Sequence, residues 1–357
     1  MNDPDKHVVV QTAPAIRATL GELFNMEAGT IVTGKMVTAL KRMGFDAVFD
    51  TNFGADITVM EEATELIYRM NNGKKLPMLT SCCPAWVKFI EHQFPELLEV
   101  PSTCKSPHIM FGTIAKTYYA EKNEIDPENM VVVSVMPCIA KKAEAKRPEL
   151  TKDEHNNVDI VITTRELGAM IKEAGIEFKE LPESDYDSPM GMSSGAAVIF
   201  GNTGGVIEAV IRTAYEWITG DTLDKVEFDQ LREANGLKKA AIKAGNKELR
   251  IGIASGLGNA RQLLEEIRDG KEDYDAIEIM ACPGGCVAGG GQPYHHGNYE
   301  IVKKRQEAIY QEDKNKQLRK AHENIEVLKL YEEYLGEPYG EFAQELLHTH
   351  FEERERI

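Results

Sequence analysis

Six cysteines, Cys82, Cys83, Cys104, Cys138, Cys282 and Cys286, are the residues whose spacing most invites chemistry. They form an adjacent pair, a lone Cys104, a Pro-Cys step and one CPGGC run. Structural zinc favours two C-x2-4-C knuckles, so zinc is a poor fit. Four thiolates drawn from one member of the pair, Cys138, Cys282 and Cys286 suit a 4Fe-4S cluster. Adjacent residues seldom both ligate one cube, which leaves either Cys82 or Cys83 as a reactive thiol. The bland reading of a single cysteine is a small buried hydrophobe, and the clustering argues against it here. The two glycines inside CPGGC let backbone approach a bulky inorganic ligand.

Three of these cysteine sites follow apolar runs, Met78–Leu79, residues 131–135 and Ala276–Met280. In parallel α/β sheets ligands collect in a crevice beyond the carboxyl ends of the strands, so thiols distant in sequence can converge. The patterning predicts strands at 8–12, 47–49, 131–135, 158–163, 249–253 and 276–280, and helices at 33–44, 56–70, 205–219 and 259–269. On the 56–70 helix, Ile57, Met60, Leu66 and Ile67 are expected to face inward. Thr163 and Glu166 form a candidate capping box, and 184–195 reads as a loop. Repeated β-α alternation implies parallel sheets with helical cover. The charged segment after Tyr299 is expected to be a solvated C-terminal cap.

The 357 residues are 42% hydrophobic and 28% charged, with a net charge of −17. No basic stripe offers a nucleic-acid surface. No signal-peptide pattern opens the chain, and no apolar run approaches the roughly 18 residues of a membrane span. A soluble cytoplasmic protein with reduced cysteines is the expectation.

The segments TSCCPAW at 80–86, MPCIAKKAE at 136–144 and MACPGGCVAGGGQP at 280–293 resemble the signatures of the FeFe hydrogenases. TAPAIRATLGE near the start, STCKSP at 102–107, FGNTGGVIEAVIR at 200–212 and the late ELLHTH extend the likeness over essentially the whole chain. The resemblance implies an H-cluster, a 4Fe-4S cube joined to a two-iron unit carrying CO, cyanide and azadithiolate. It implies that Cys83, Cys138, Cys282 and Cys286 hold the cube, with Cys286 bridging to the two-iron unit. Cys82 then passes protons, and Lys141 hydrogen-bonds a cyanide. The backbone at Ala13 and Pro14 receives the other cyanide, and Met136 and Met280 line the two-iron pocket. The implied relay runs Glu62, Glu65, Ser102, Cys82 from the surface inward. Read without the resemblance, the glutamate pair is a solvated helix face and the Lys141-Lys142 pair is solvated too.

The same likeness implies reversible H2 = 2 H+ + 2 e− chemistry, ferredoxin or a dedicated electron-transfer subunit as partner, and maturation enzymes that complete the cluster. It implies one domain over residues 1–357. Its two α/β lobes are expected at roughly 1–130 plus the C-terminal helices, and at roughly 131–295, with the cluster in the crevice between them. Ala15 replaces a serine of some members, and Ala85 stands where many have glycine. Cys104 is left as a buried spare thiol. Cysteine runs for accessory clusters are absent, as in a minimal enzyme, a subunit or a trimmed chain. A sensory relative and an iron-sulfur assembly factor are the rival readings. Cys82 together with Lys141 discriminates against the second.

Overall fold

Segments such as HVVVQT and MVVVSVM are apolar on both faces, which only a strand covered on both sides can satisfy. The computed structural model describes residues 3–152, 155–232, 236–271 and 273–355, without the side chains of Lys152 and His155. Its strands are β1 (His7–Thr12), β2 (Ala47–Asp50), β3 (Met78–Leu79), β4 (Met130–Met136), β5 (Thr151–Lys152), β6 (His155–Asn156), β7 (Ile160–Thr163), β8 (Leu237–Ala244), β9 (Lys247–Ser255) and β10 (Ala276–Met280). One sheet has the order β2-β1-β4-β7 and is parallel throughout. The other has the order β3-β10-β9-β8. β5 and β6 form a separate antiparallel pair.

The α/β class with parallel sheets and helical cover is as expected, with two corrections. The chain does not divide near residue 130. β4 and β7 complete the sheet begun by β1 and β2, while β3 joins the later β10. Pairing follows the apolar match between strands rather than chain order, so the chain crosses between sheets more than once. Further, β8 runs antiparallel to β9 through a hairpin turned at Gly245, whose φ is +60°. β8 escaped the patterning because LKKAAIKA has lysines on its exposed positions and alanine on much of the rest.

The Thr51–Asn71 helix is buried along most of its length. It begins five residues before the expected start because Asp50 caps it, accepting from the Asn52 amide at 3.1 Å. Ile57, Met60 and Leu66 face inward and Ile67 partly so. Glu61, Glu62 and Glu65 are fully buried as well, contrary to a solvated glutamate face. The Thr163/Glu166 capping box is present, and the helix Gly205–Thr219 stops at Gly220.

The helix Tyr299–Asn315 corrects the last expectation. Arg305, Ile309 and Asp313 are fully buried. Arg305 donates to the carbonyls of Val287 (2.9 Å) and Pro293 (3.0 Å), and Gln306 to that of Gly284 (2.9 Å). This helix clamps the CPGGC loop rather than merely capping the molecule.

Candidate cluster and proton-relay site

The carboxyl ends of β1, β3, β4 and β10 open onto one cavity. Cys82, Cys83, Cys138, Cys282 and Cys286 line it, in an otherwise apolar wall that includes Ala13, Pro14, Met136, Met280 and Phe200. Cys83 occupies the N-cap position of the helix Pro84–Gln93. The loop before it is pinned by the Trp86 indole, which donates to the Thr80 carbonyl at 2.9 Å. Cys138 follows β4 and Cys282 follows β10.

The loops meet too closely for side chains. A Cβ on Gly285, whose φ is +93°, would lie 2.7 Å from the Thr203 nitrogen, and one on Gly289 would lie 2.4 Å from the Pro137 carbonyl oxygen. All six cysteines are free. Burial raises the thiols of Cys82 and Cys286 well above the ordinary range, and neighbouring thiols add to the shift. Cys138 is pushed up to about 11 by burial and then by Cys83. Such a crowd of thiols is unfavourable as bare thiolates, and iron is the kind of partner that relieves it. The donor set therefore fits a 4Fe-4S cube.

Lys141 is nearly buried and its ammonium sits at the cavity wall. It donates to the Cys82 carbonyl at 2.9 Å and pairs with Glu144 at 2.7 Å. The same Glu144 oxygen lies 2.7 Å from His108 Nε2. Burial alone would raise Glu144, yet Lys141 and His108 hold its carboxyl down to about 2. His108 is itself lowered, by burial and then by the Lys141 charge. The Lys141-Lys142 pair thus splits, Lys141 inward and Lys142 toward a half-exposed Glu166. Sequence reading missed His108, Phe200, Thr51 and Glu144 around the cavity. Phe200 lay in a matched segment, and Glu144 is legible as an i+3 partner of Lys141.

On the other side of Cys82 lies a corridor of carboxylates. Among the described residues neither Glu62 oxygen has a hydrogen-bond partner. Burial, reinforced by Glu65, pushes its carboxyl up to about 8, and the nearby Ser81 amide and Ser102 hydroxyl only weaken that rise. Glu62 is also the charge that most raises Cys82, after burial. Ser102 donates to Glu65 at 2.8 Å. Glu65 in turn accepts from Arg69 at 2.6 Å. The expected order is therefore corrected: from the cavity outward the groups run Cys82, Glu62, Ser102, Glu65, with Arg69 outermost. The helix points residue 62, not 65, at the cysteine loop. Ser102 enters because its amide donates to the Leu79 carbonyl at 2.7 Å, laying this segment beside β3. Arg69 was missed, although its i+4 spacing from Glu65 is readable.

A parallel α/β scaffold presenting four convergent thiols, a fifth thiol and a buried acid chain defines a cluster-binding oxidoreductase-like site. Residues 6–290 match the model for the iron only hydrogenase large subunit, C-terminal domain, and residues 299–354 that for the iron hydrogenase small subunit. The chain belongs to the iron-only (FeFe) hydrogenase family. It is 58% identical to the NADP-reducing hydrogenase subunit HndD of Solidesulfovibrio fructosivorans, over 99% of this chain and 62% of that protein. It is 46% identical to iron hydrogenase 1 of Clostridium pasteurianum, over 98% and 61%. The chain thus spans about three fifths of the length of these two relatives. A variant of FeFe-hydrogenase HydA1 from Chlamydomonas reinhardtii, solved in its apo form, superimposes with a TM-score of 0.88 at 43% identity, over 99% of this chain and 96% of that one. The cytosolic Fe-S cluster assembly factor narfl of Xenopus tropicalis is more distant, at 31% identity over 99% of this chain and 75% of that protein. Among the described residues no helix is long and apolar enough to cross a membrane.

Proposed function

We propose that this chain interconverts H2 with protons and electrons at an H-cluster held in the cysteine-lined cavity. The observation that carries the reading is Cys82, a thiol beyond the four a cube needs, lying between the cavity and a Glu62 carboxyl that burial keeps protonated. Cys83, Cys138, Cys282 and Cys286 would hold the cube, with Cys286 the thiol it would share with the two-iron unit. The cluster, when bound, supplies heterolytic cleavage and formation of H2 and the electron store.

The chain's own residues do the rest. Lys141, anchored on Glu144, presents a fixed cation to an anionic cyanide, and the backbone of Ala13 and Pro14 receives the other. Met136, Met280 and Phe200 keep water out. Cys82 gives and takes the proton, Glu62 receives it in a corridor with no fixed cation beside it, and Ser102 hands it to Glu65 near Arg69. The presence of both Cys82 and Lys141 at the cavity wall favours catalysis over a cluster-assembly role.

Cys138 and Cys282 are only partly buried, and Ile139 beside them is exposed, so electrons enter the cube from a carrier docked there, ferredoxin or a dedicated subunit. Maturation enzymes complete the cluster, and the free thiols suit the cytoplasm.

Iron and sulfide alone should give one 4Fe-4S cube per chain and no H2 turnover. Adding a two-iron mimic should bring CO and cyanide infrared bands together with turnover. Two or more cubes per chain, or full infrared bands without turnover, would overturn the proposal.

A further inference from the structure

Cys104 takes no part in the relay or the cube, yet it is not packed as a spare thiol. Its sulfur lies 3.9 Å from Glu65 Oε2 and 4.0 Å from His348 Nε2. His348 Nε2 is also 2.9 Å from Glu61 Oε2. The Glu65, Cys104 and His348 donor atoms all lie within 4.8 Å of one another. A β-bridge between Cys104 and His348 brings the C-terminal segment onto the long helix to make this cluster.

We propose that Glu65, Cys104 and His348, with Glu61 beside them, form a binding site for a divalent cation of the zinc class, and that filling it withdraws Glu65 from the proton relay. The ligand types are those zinc prefers, thiolate, imidazole and carboxylate, and the sulfur disfavours magnesium or calcium. Tetrahedral bonds of about 2.0–2.3 Å place ligand atoms about 3.3–3.8 Å apart. The sulfur distances need to close by only a few tenths of an ångström.

The ring is already oriented. Thr103 Oγ1 sits 2.7 Å from His348 Nδ1, which turns Nε2 toward the cluster in the manner of an outer-shell partner at a metal centre. Arg69 takes Glu65 Oε1 at 2.6 Å, so Oε2, which also receives the Ser102 hydroxyl, is the oxygen that faces the sulfur. Thr103, His348 and Tyr339 are partly exposed and give the ion a way in from outside the cluster cavity. Binding displaces the Cys104 thiol proton to solvent and ties up the oxygen that accepts from Ser102. Nothing is oxidised or reduced.

This inference rests on the relay proposed above, so its test separates the two. Chelator-treated holoenzyme is equilibrated with zinc chloride, and bound zinc is measured per chain by elemental mass spectrometry beside iron. The parent should bind one zinc, released by chelator, and lose at least about tenfold in H2 turnover. His348→Gln and Cys104→Ala should lose the zinc, and zinc should no longer slow His348→Gln. Thr103→Val should bind about 10–100-fold more weakly. A Cys82→Ala protein should bind zinc as the parent does, whatever its turnover, because Cys82 is outside the site. Zinc binding equal in His348→Gln, Cys104→Ala and parent would overturn the site. Zinc bound at these residues with turnover unchanged would overturn its claim on the relay.

Discussion

Two of the groups of buried charge among the described residues are treated oppositely. Around Asp313, Arg212 pairs with Glu208 (2.7 Å) and Asp313 (2.8 Å), Arg319 pairs with Asp313 (2.7 Å), and Arg232 pairs with Glu208 (2.6 Å). The arginines hold the Asp313 carboxyl below its ordinary range against the opposing effect of burial. Along the Thr51–Asn71 helix, Glu65 has Arg69, whereas Glu62 has no ion pair and no hydrogen bond among the described residues. Its carboxyl is pushed up to about 8. Pairing each carboxylate makes a strut that stays charged. Leaving one unpaired makes a buried acid that can hold or release a proton near neutral pH. The same side-chain type therefore serves stability in one place and transport in the other.

That contrast predicts a division of effects. Glu62→Gln keeps shape and burial but removes the exchangeable proton, so turnover should drop about 10²–10⁴-fold while the infrared bands remain. Parental turnover in this variant would erase the distinction between the clusters. Arg212→Met strips a cation from two buried carboxylates and should cost about 3–5 kcal/mol in denaturant unfolding. Turnover per loaded cluster should be unchanged.

A further effect is in the pH dependence of stability. Folded Glu62, near 8, binds a proton that the unfolded chain, near 4.5, has lost. The parent should therefore lose stability relative to Glu62→Gln as pH rises from about 4.5 to about 8. Parallel unfolding midpoints for parent and Glu62→Gln across that range would show that the group is not buried as a neutral acid.

The convergence of Cys82, Cys83, Cys138, Cys282 and Cys286 on one cavity was legible because cysteine is informative by type and strand ends gather ligands. The helices at 33–44 and 205–219 were legible from their apolar periodicity and closing glycines. Glu62 and Glu65 were recognisable only through family likeness, since a burial that inverts their usual role leaves no trace in local pattern. Their order along the corridor was misread because it depends on where the helix passes the cysteine loop, a tertiary fact. The sheet membership of β3, β4 and β7 was misread for the same reason. The burial of the Tyr299–Asn315 helix escaped notice because its buried residues are Arg305 and Asp313 as much as Val302 and Ile309, and charged side chains read as solvated until their partners are known.

The central claim is that Cys82 carries protons and does not ligate iron, and it is tested most directly by substituting that one thiol. Cys82→Ala should keep the 4Fe-4S absorption and the CO and cyanide bands and lose nearly all H2 turnover. Cys82→Asp, which restores an exchangeable proton of similar reach, should recover measurable turnover, and Cys83→Ala should damage the cube itself. Cys82→Ala turning over H2 at the parental rate with its cluster intact would contradict the account.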